Sequence, residues 1–466
     1  MNLLQNDTIA AIATPEGTGA IAIIRISGLD SKKILEKVFK PKSKSITIKN
    51  LKPQKTVLGS FIHGKSNDFI DQVIVVYYKA PHSYTGEDLV EISIHGGEFI
   101  KKLVLGLIIK AGAKPADPGE FTKRAFLNGK MDLVQAESVA NLISSTTEKA
   151  YILAKRHLEG KLSNDLTNII QELISLKVKL ELEIDFSDDY IKPFETKTLI
   201  KNVRTITKKL ELLEKSFRKG NLIKNGFIIS IIGKPNVGKS SLLNLLVRKE
   251  RAIVTHYPGT TRDTIEEILN LKGIPVKLID TAGIRKSEEP IEEEGIQRSK
   301  RAIQESDFLI GVFDLTQTFS KEDKNILNYM LKSGKFLIIL NKCDLVKKGN
   351  IKKFKEIKHL KDAIVFSAKN GKGLDKLLKH LEENLIHHQT SNIEETSILT
   401  EERHFFLIQE ALKNLRKCTG NLKENISPEF PSEDIGFAIE SLNKILGINI
   451  NIDILGEIFS NFCIGK

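Results

Sequence analysis

The spacing of hydrophobic positions changes character along the chain. Up to about residue 120 the apolar runs are short and rich in β-branched residues. Ile21 to Gly28 reads as a strand ending in a turn, and Val73–Tyr78 as a second strand. Leu89–Ile94 is a third, with Val90, Ile92 and Ile94 on one face and Glu91 and Ser93 on the other. Ile34–Phe39 and Gly97–Ala111 read as helices, so this part is an α+β module. From about residue 123 the repeat becomes helical. Leu158, Leu162, Leu166, Ile169, Leu173, Leu176, Leu180 and Ile184 predict one long amphipathic helix. Leu199, Val203, Ile206, Leu210, Leu213 and Phe217 predict another, and Phe405–Leu415, Ile435–Leu446 and Ile452–Phe462 supply more.

Between these helices the pattern changes again. Phe227–Ile232, Val276–Ile279, Phe308–Phe313, Lys335–Leu340 and Ala363–Phe366 are continuous apolar runs, as in buried parallel strands. An α/β unit is therefore inserted in a helical domain, and the helices on either side of the insert are expected to pack together. The plan reads as an N-terminal domain (1–122), a first helical part (123–222), an α/β domain (223–384) and a second helical part (385–466).

Composition narrows the classes. A chain of 466 residues with three cysteines, none in a C-x-x-C pair, has no disulfide framework and points away from structural zinc. The start lacks the basic and apolar segments of a signal peptide. The longest candidate apolar stretch, Leu103–Ile109, is far too short to span a bilayer. A cytoplasmic chain with no membrane association is expected. The net charge of +12 suits a polyanion such as nucleic acid, or an anionic surface, and equally a lysine-rich background.

The chemistry concentrates in the insert. Residues 233–240 read Gly-Lys-Pro-Asn236-Val237-Gly238-Lys239-Ser240, a G-x-x-x-x-G-K-S loop between a strand and a helix starting at Ser241. Its backbone N–H groups and the helix N-terminus suit phosphates, Lys239 the β/γ oxygens, and the Ser240 hydroxyl Mg²⁺. Asp280-Thr281-Ala282-Gly283 ends a later strand, where a carboxylate holds Mg²⁺ through water and the Gly283 N–H meets a γ-phosphate. Thr260 and Thr261 lie between the two motifs, placed as a switch that closes on Mg²⁺. Asn341-Lys342-Cys343-Asp344 offers a carboxylate to guanine's N1–H and amine, a pair that adenine lacks. Ser367-Ala368-Lys369 completes that base pocket. These motifs in this order define a GTP-binding domain. Ile284 stands where Ras-like GTPases carry a water-orienting Gln, so hydrolysis needs another group, and the acidic stretch Glu288–Glu294 is nearest.

Further runs carry a resemblance. Asp7-Thr-Ile-Ala, Glu91-Ile-Ser-Ile-His-Gly-Gly97, the run Pro118–Leu133, Ile184-Asp-Phe and the terminal Phe462-Cys463-Ile-Gly-Lys466 resemble the MnmE (TrmE) family of tRNA-modification GTPases over the whole chain. The resemblance implies a folate-binding N-terminal domain that dimerises, a helical domain and an inserted Ras-like G domain. It implies a flavoprotein partner, MnmG (GidA), in a heterotetramer or larger complex. Such complexes place aminomethyl or carboxymethylaminomethyl groups on carbon 5 of wobble uridines in tRNA, with 5-formyl- or 5,10-methylene-tetrahydrofolate as the one-carbon source. It also implies potassium-dependent hydrolysis. The Asn236 side chain and the carbonyls of Thr255, Tyr257 and Thr260 would coordinate K⁺, and Glu292 would orient the attacking water. Arg25, Glu91, Lys130 and Lys466 match the folate positions. The Arg and two Lys suit the glutamate tail and the carboxylate suits pterin donors. Cys463 gains a role in uridine chemistry, against an inert near-terminal thiol, while Cys343 and Cys418 read as structural or incidental. His95 is either catalytic or a turn-holding group. Two other classes compete: a ribosome-assembly GTPase switch, which would carry a second G domain or a terminal RNA-binding module, and a folate-dependent methyltransferase with a passive nucleotide site.

Overall fold

The computed structural model describes residues 7–64, 66–185, 195–250, 266–280, 306–386, 397–460 and 462–466. They fall into two compact units: Met1–Ile143 with Arg156–Val203 and Lys413–Lys466, and Ser144–Lys155 with Arg204–Leu412.

The first unit is built on a seven-stranded sheet: β1 (Ile9–Ile12), β2 (Ile21–Ser27), β3 (Phe39–Pro41), β4 (Thr56–Ile62), β5 (Phe69–Tyr78), β6 (Leu89–His95) and β7 (Lys114–Pro115), in the order β3-β4-β5-β6-β2-β1-β7. All pairings are antiparallel except β1 with β7. Alternation decides which face is covered. Ile24 and Ile26 of β2, Val73 and Val75 of β5, and Val90, Ile92 and Ile94 of β6 are buried with Ile34, Leu35 and Val38 of helix α1 (Ser31–Val38) and Val104 and Ile108 of α2 (Glu98–Lys110). Arg25 and Glu91, one residue out of phase with that core, are cross-strand partners on the other face. The boundary expected at residue 122 falls within α3 (Glu120–Leu127), whose Phe121 is buried with Ile9, Ala11 and Ala116.

Helices α4 (Leu133–Ser144), α5 (Glu148–Leu158), α6 (Lys161–Asp185) and α7 (Thr196–Asn225) follow. The predicted long helix begins later than its stripe suggests. Leu158 closes α5, the chain turns at Glu159-Gly160, and α6 carries the rest of the stripe, burying Leu162, Leu166, Leu173 and Leu180.

The second unit holds a six-stranded sheet of β8 (Phe227–Ile232), β9 (Glu266–Leu271), β10 (Ile274–Asp280), β11 (Phe308–Asp314), β12 (Phe336–Asn341) and β13 (Ile364–Val365), in the order β13-β12-β11-β8-β10-β9. All pairings are parallel except the β9–β10 hairpin. Around it lie α8 (Lys239–Glu250), α9 (Lys321–Ser333), α10 (Lys348–Glu356) and α11 (Leu374–Ile386). The remaining helices are α12 (Glu402–Lys423), α13 (Glu429–Leu446) and α14 (Ile452–Ser460). The flanking helices do pack together. In the first unit α13 packs on α6. In the second, Phe217 of α7 stacks on Phe405 of α12 at 4.6 Å, and the Ser216 hydroxyl accepts from the Leu399 N–H. No helix among the described residues is long and apolar enough to cross a membrane.

Candidate functional site

β8 lies between β10 and β11, so successive strands are added on opposite sides of it. Open parallel sheets bind ligands beyond the carboxyl ends of their strands at such a reversal. The loop 233–238 leaves β8 there and α8 begins at Lys239. Lys239 is buried, and its ammonium donates to the carbonyls of Gly233 and Lys234, at 2.7 Å each. The loop thus curls around its own lysine. Asn236 sits at the outer bend with a left-handed φ of 62°, exposed, and Ser240 and Ser241 are exposed at the start of the helix. Asp280, the last residue of β10, pairs with Ile231 of β8 and so ends beside the phosphate loop.

Asn341 ties three loops together. It ends β12 almost fully buried; its Nδ2 donates to the Val237 carbonyl at 2.8 Å, and its Oδ1 accepts from the Ala368 N–H at 3.0 Å. Lys342 bends away at φ 62° and pairs with Asp314 at 2.7 Å. Asp344 accepts from the buried Ser367 hydroxyl at 2.6 Å; this hydrogen bond above all holds its carboxyl below the usual range, with the charge of Lys369 adding to it. Asp344 and Lys369 are themselves exposed, as base contacts need to be. Cys343 is buried, and burial pushes its thiol up. Thr255, Tyr257, Thr260, Thr261, Thr281, Ala282, Gly283 and Glu292 lie outside the described residues.

A second constellation forms on the open face of the first sheet. Arg25 Nε donates to Glu91 Oε1 at 2.8 Å, and Arg25 Nη1 donates to the Gly465 carbonyl at 3.2 Å. The guanidinium carbon lies 5.4 Å from the centre of the Tyr84 ring. Lys466 is half-buried, and burial followed by the charge of Arg25 pushes its ammonium down, with Glu91 opposing. The chain end reaches this spot because Leu455 and Phe459 of α14, with Phe462, pack on Leu133 and Ala136 of α4. Cys463 is exposed, and its carbonyl accepts from the Gly119 N–H at 3.4 Å. Lys130 is exposed and donates to the Pro81 carbonyl at 3.1 Å, in the same loop that carries Tyr84. Arg25 and Glu91 are therefore one ion pair at one spot of the sheet, not two separate points of a long site. Assigning the glutamate tail to Arg25 and the pterin to Glu91 does not follow from this geometry.

Three further side chains are fixed mainly by partners distant in the sequence. Tyr84 is placed by a hydrogen bond between its hydroxyl and that of Thr122 at 2.8 Å. His95 is held by Asp71, whose buried carboxylate meets the ring Nδ1 at 2.6 Å and accepts from the His95 N–H at 2.9 Å. Arg124 is buried among carboxylates, bonded to Asp7 at 2.6 Å, Glu120 at 2.7 Å and Glu87 at 3.2 Å. Of these partners only Glu120, four residues earlier on α3, is visible in the sequence.

A mainly parallel sheet whose first strand leads through a G-x-x-x-x-G-K-S loop into a helix, with Asn-Lys-Cys-Asp at the end of a later strand, defines a P-loop GTPase. Two family models match the chain: the GTP-binding protein TrmE N-terminus over residues 8–130 and the MnmE helical domain over residues 133–463. The tRNA modification GTPase MnmE of Alkaliphilus metalliredigens is 40% identical over 461 residues, covering 99% of each chain. That of Aquifex aeolicus is 41% identical over 462 residues, covering 99% of this chain and all of its own. The chain belongs to the MnmE family of tRNA modification GTPases.

Proposed function

We propose that this chain is the GTP-hydrolysing subunit of a complex that modifies carbon 5 of the wobble uridine in certain tRNAs. Its partner is a flavoprotein of the MnmG (GidA) type, and its own N-terminal domain, within residues 1–122, binds folate and pairs two copies. The observation that carries the one-carbon reading is the meeting of Arg25, Glu91 and Lys466, drawn from two strands and the last residue of the sequence. The donor set suits one end of a folate: cations for its oxygen atoms, a carboxylate for its N–H groups, and the Tyr84 ring beside them. Bound tetrahydrofolate supplies the one-carbon unit. Cys463, exposed next to this set, is the candidate nucleophile toward carbon 6 of the uracil ring, a step the partner could equally provide. Full-length relationship to MnmE proteins argues against the ribosome-assembly switch.

In the G domain (223–384) Lys239 neutralises the β/γ-phosphates and Asp344 accepts from guanine N1–H and its amine. Ser240 and Thr261 would hold Mg²⁺, with Asp280 acting through water. Asn236, with carbonyls of Thr255, Tyr257 and Thr260, would hold K⁺ and add positive charge where the transition state needs it. Glu292 orients the water that Ile284 cannot. Glu292→Ala should keep GTP affinity and lose turnover, and turnover should be faster in K⁺ than in Na⁺ at matched ionic strength. The deciding experiment is mass spectrometry of wobble uridines from cells with and without the gene. Loss of the aminomethyl-type modification is expected, and an unchanged uridine profile refutes the reading.

A further inference from the structure

The segment 463–466 reaches Arg25 with little side-chain packing of its own, since Cys463 and Ile464 are both exposed. Two glycines make up for this by letting backbone meet backbone. Gly465 lies at φ 90°, and a Cβ there would stand 2.3 Å from the Ile12 carbonyl oxygen and 2.9 Å from the Ala13 Cα. Those atoms belong to β1 and its exit, fixed by the β1–β2 ladder in which Ala11 faces Arg25. Gly119 lies at φ 67°, and its Cβ would stand 2.7 Å from the Phe459 carbonyl oxygen and 2.9 Å from the Phe462 Cβ. One close approach thus lies just before Cys463 and the other just after it. The Cys463 carbonyl, accepting from the N–H groups of both Gly119 and Lys466, closes the turn between them.

We infer that Gly119 and Gly465 are positioning residues that clasp the chain end, setting the Cys463 thiol and the Lys466 ammonium against the Arg25–Glu91 pair. This rests on the folate reading for its consequence, not for its geometry. A methyl group at 465 collides with backbone that cannot turn aside, so the segment must lift and the Arg25 bond to the Gly465 carbonyl must break.

The test uses the full chain with Gly465→Ala, Gly465→Asn and Gly119→Ala. Gly17→Ala is the control: Gly17 has φ 95° but nothing within 4 Å of its Cβ, so it carries the strain without the collision. Asn tolerates a positive φ yet still brings a Cβ, so Gly465→Asn should fail as Gly465→Ala does. Calorimetry with 5-formyl-tetrahydrofolate should show affinity reduced roughly tenfold, the factor carried by one charge-assisted hydrogen bond. Hydrogen exchange in the segment 462–466 should quicken by a similar factor, while GTP turnover stays unchanged. Wild-type folate affinity and exchange in Gly465→Ala would overturn the clasp, as would equal losses in Gly17→Ala. If the unmodified protein takes up no folate, the folate reading fails, and the exchange measurement still decides the clasp.

Discussion

Replacing Asn341 with Ala separates a staple from a base contact. The side chain is 2% exposed and bonds Val237 on the phosphate loop and Ala368 on the base loop. Its removal leaves one carbonyl and one N–H without their partners, each costing about 1–3 kcal/mol, less where water reaches the Ala368 side. A total of about 2–4 kcal/mol follows, and at 2–4 °C per kcal/mol for a unit of this size Tm should fall by roughly 4–16 °C. Both loops lose a common anchor, so affinities for guanine and xanthine nucleotides should fall together. Asn341→Asp keeps the acceptor toward Ala368 but turns a carboxylate toward the Val237 carbonyl, and should be at least as damaging. Differential scanning calorimetry and titration with fluorescent nucleotides measure both effects. Unchanged Tm and affinity would refute the staple, and so would a loss confined to guanine nucleotides.

Asp344→Asn should behave differently, weakening GTP and improving xanthosine triphosphate with little change in Tm; equal affinity for GTP before and after would remove Asp344 from the base pocket. Arg124→Ala should destabilise the first unit by about 3–5 kcal/mol, because it strands carboxylates that Arg124 pairs in a buried site, and a urea midpoint close to wild type would contradict this. Burial raises the Asp7 carboxyl, but hydrogen bonds from Lys114 and Arg124 outweigh it and hold the group below 3.8. The stability Asp7 contributes is therefore complete above pH 3.8 and lost as pH falls through the lowered value, so circular dichroism of the wild type should show no Asp7-linked loss near pH 5, whereas Arg124→Ala should weaken at higher pH. Cys463→Ser should keep GTP hydrolysis and lower tRNA modification; full modification of purified tRNA by that variant would make the thiol structural.

The sequence alone determined the elements whose signal is local. Five apolar runs between residues 227 and 366 each fall on a strand of the second sheet, and the loop after β8 announces itself because phosphate binding needs a short ordered string of glycines, a lysine and a serine. The alternation in β6 already separated Glu91 from the core. The short strands β1, β3 and β7 of the first sheet were not legible, because so few positions show no period and their pairing depends on neighbours. The break between α5 and α6 was hidden because a short turn left the leucine spacing nearly in phase. Tertiary structure decided what touches what: Arg25 beside Gly465, 440 residues apart, Arg124 among Asp7 and Glu87, and His95 on Asp71. Such contacts depend on strand register and on the path of the chain end, and hydrophobic periodicity fixes which face a side chain takes without fixing which distant residue meets it there.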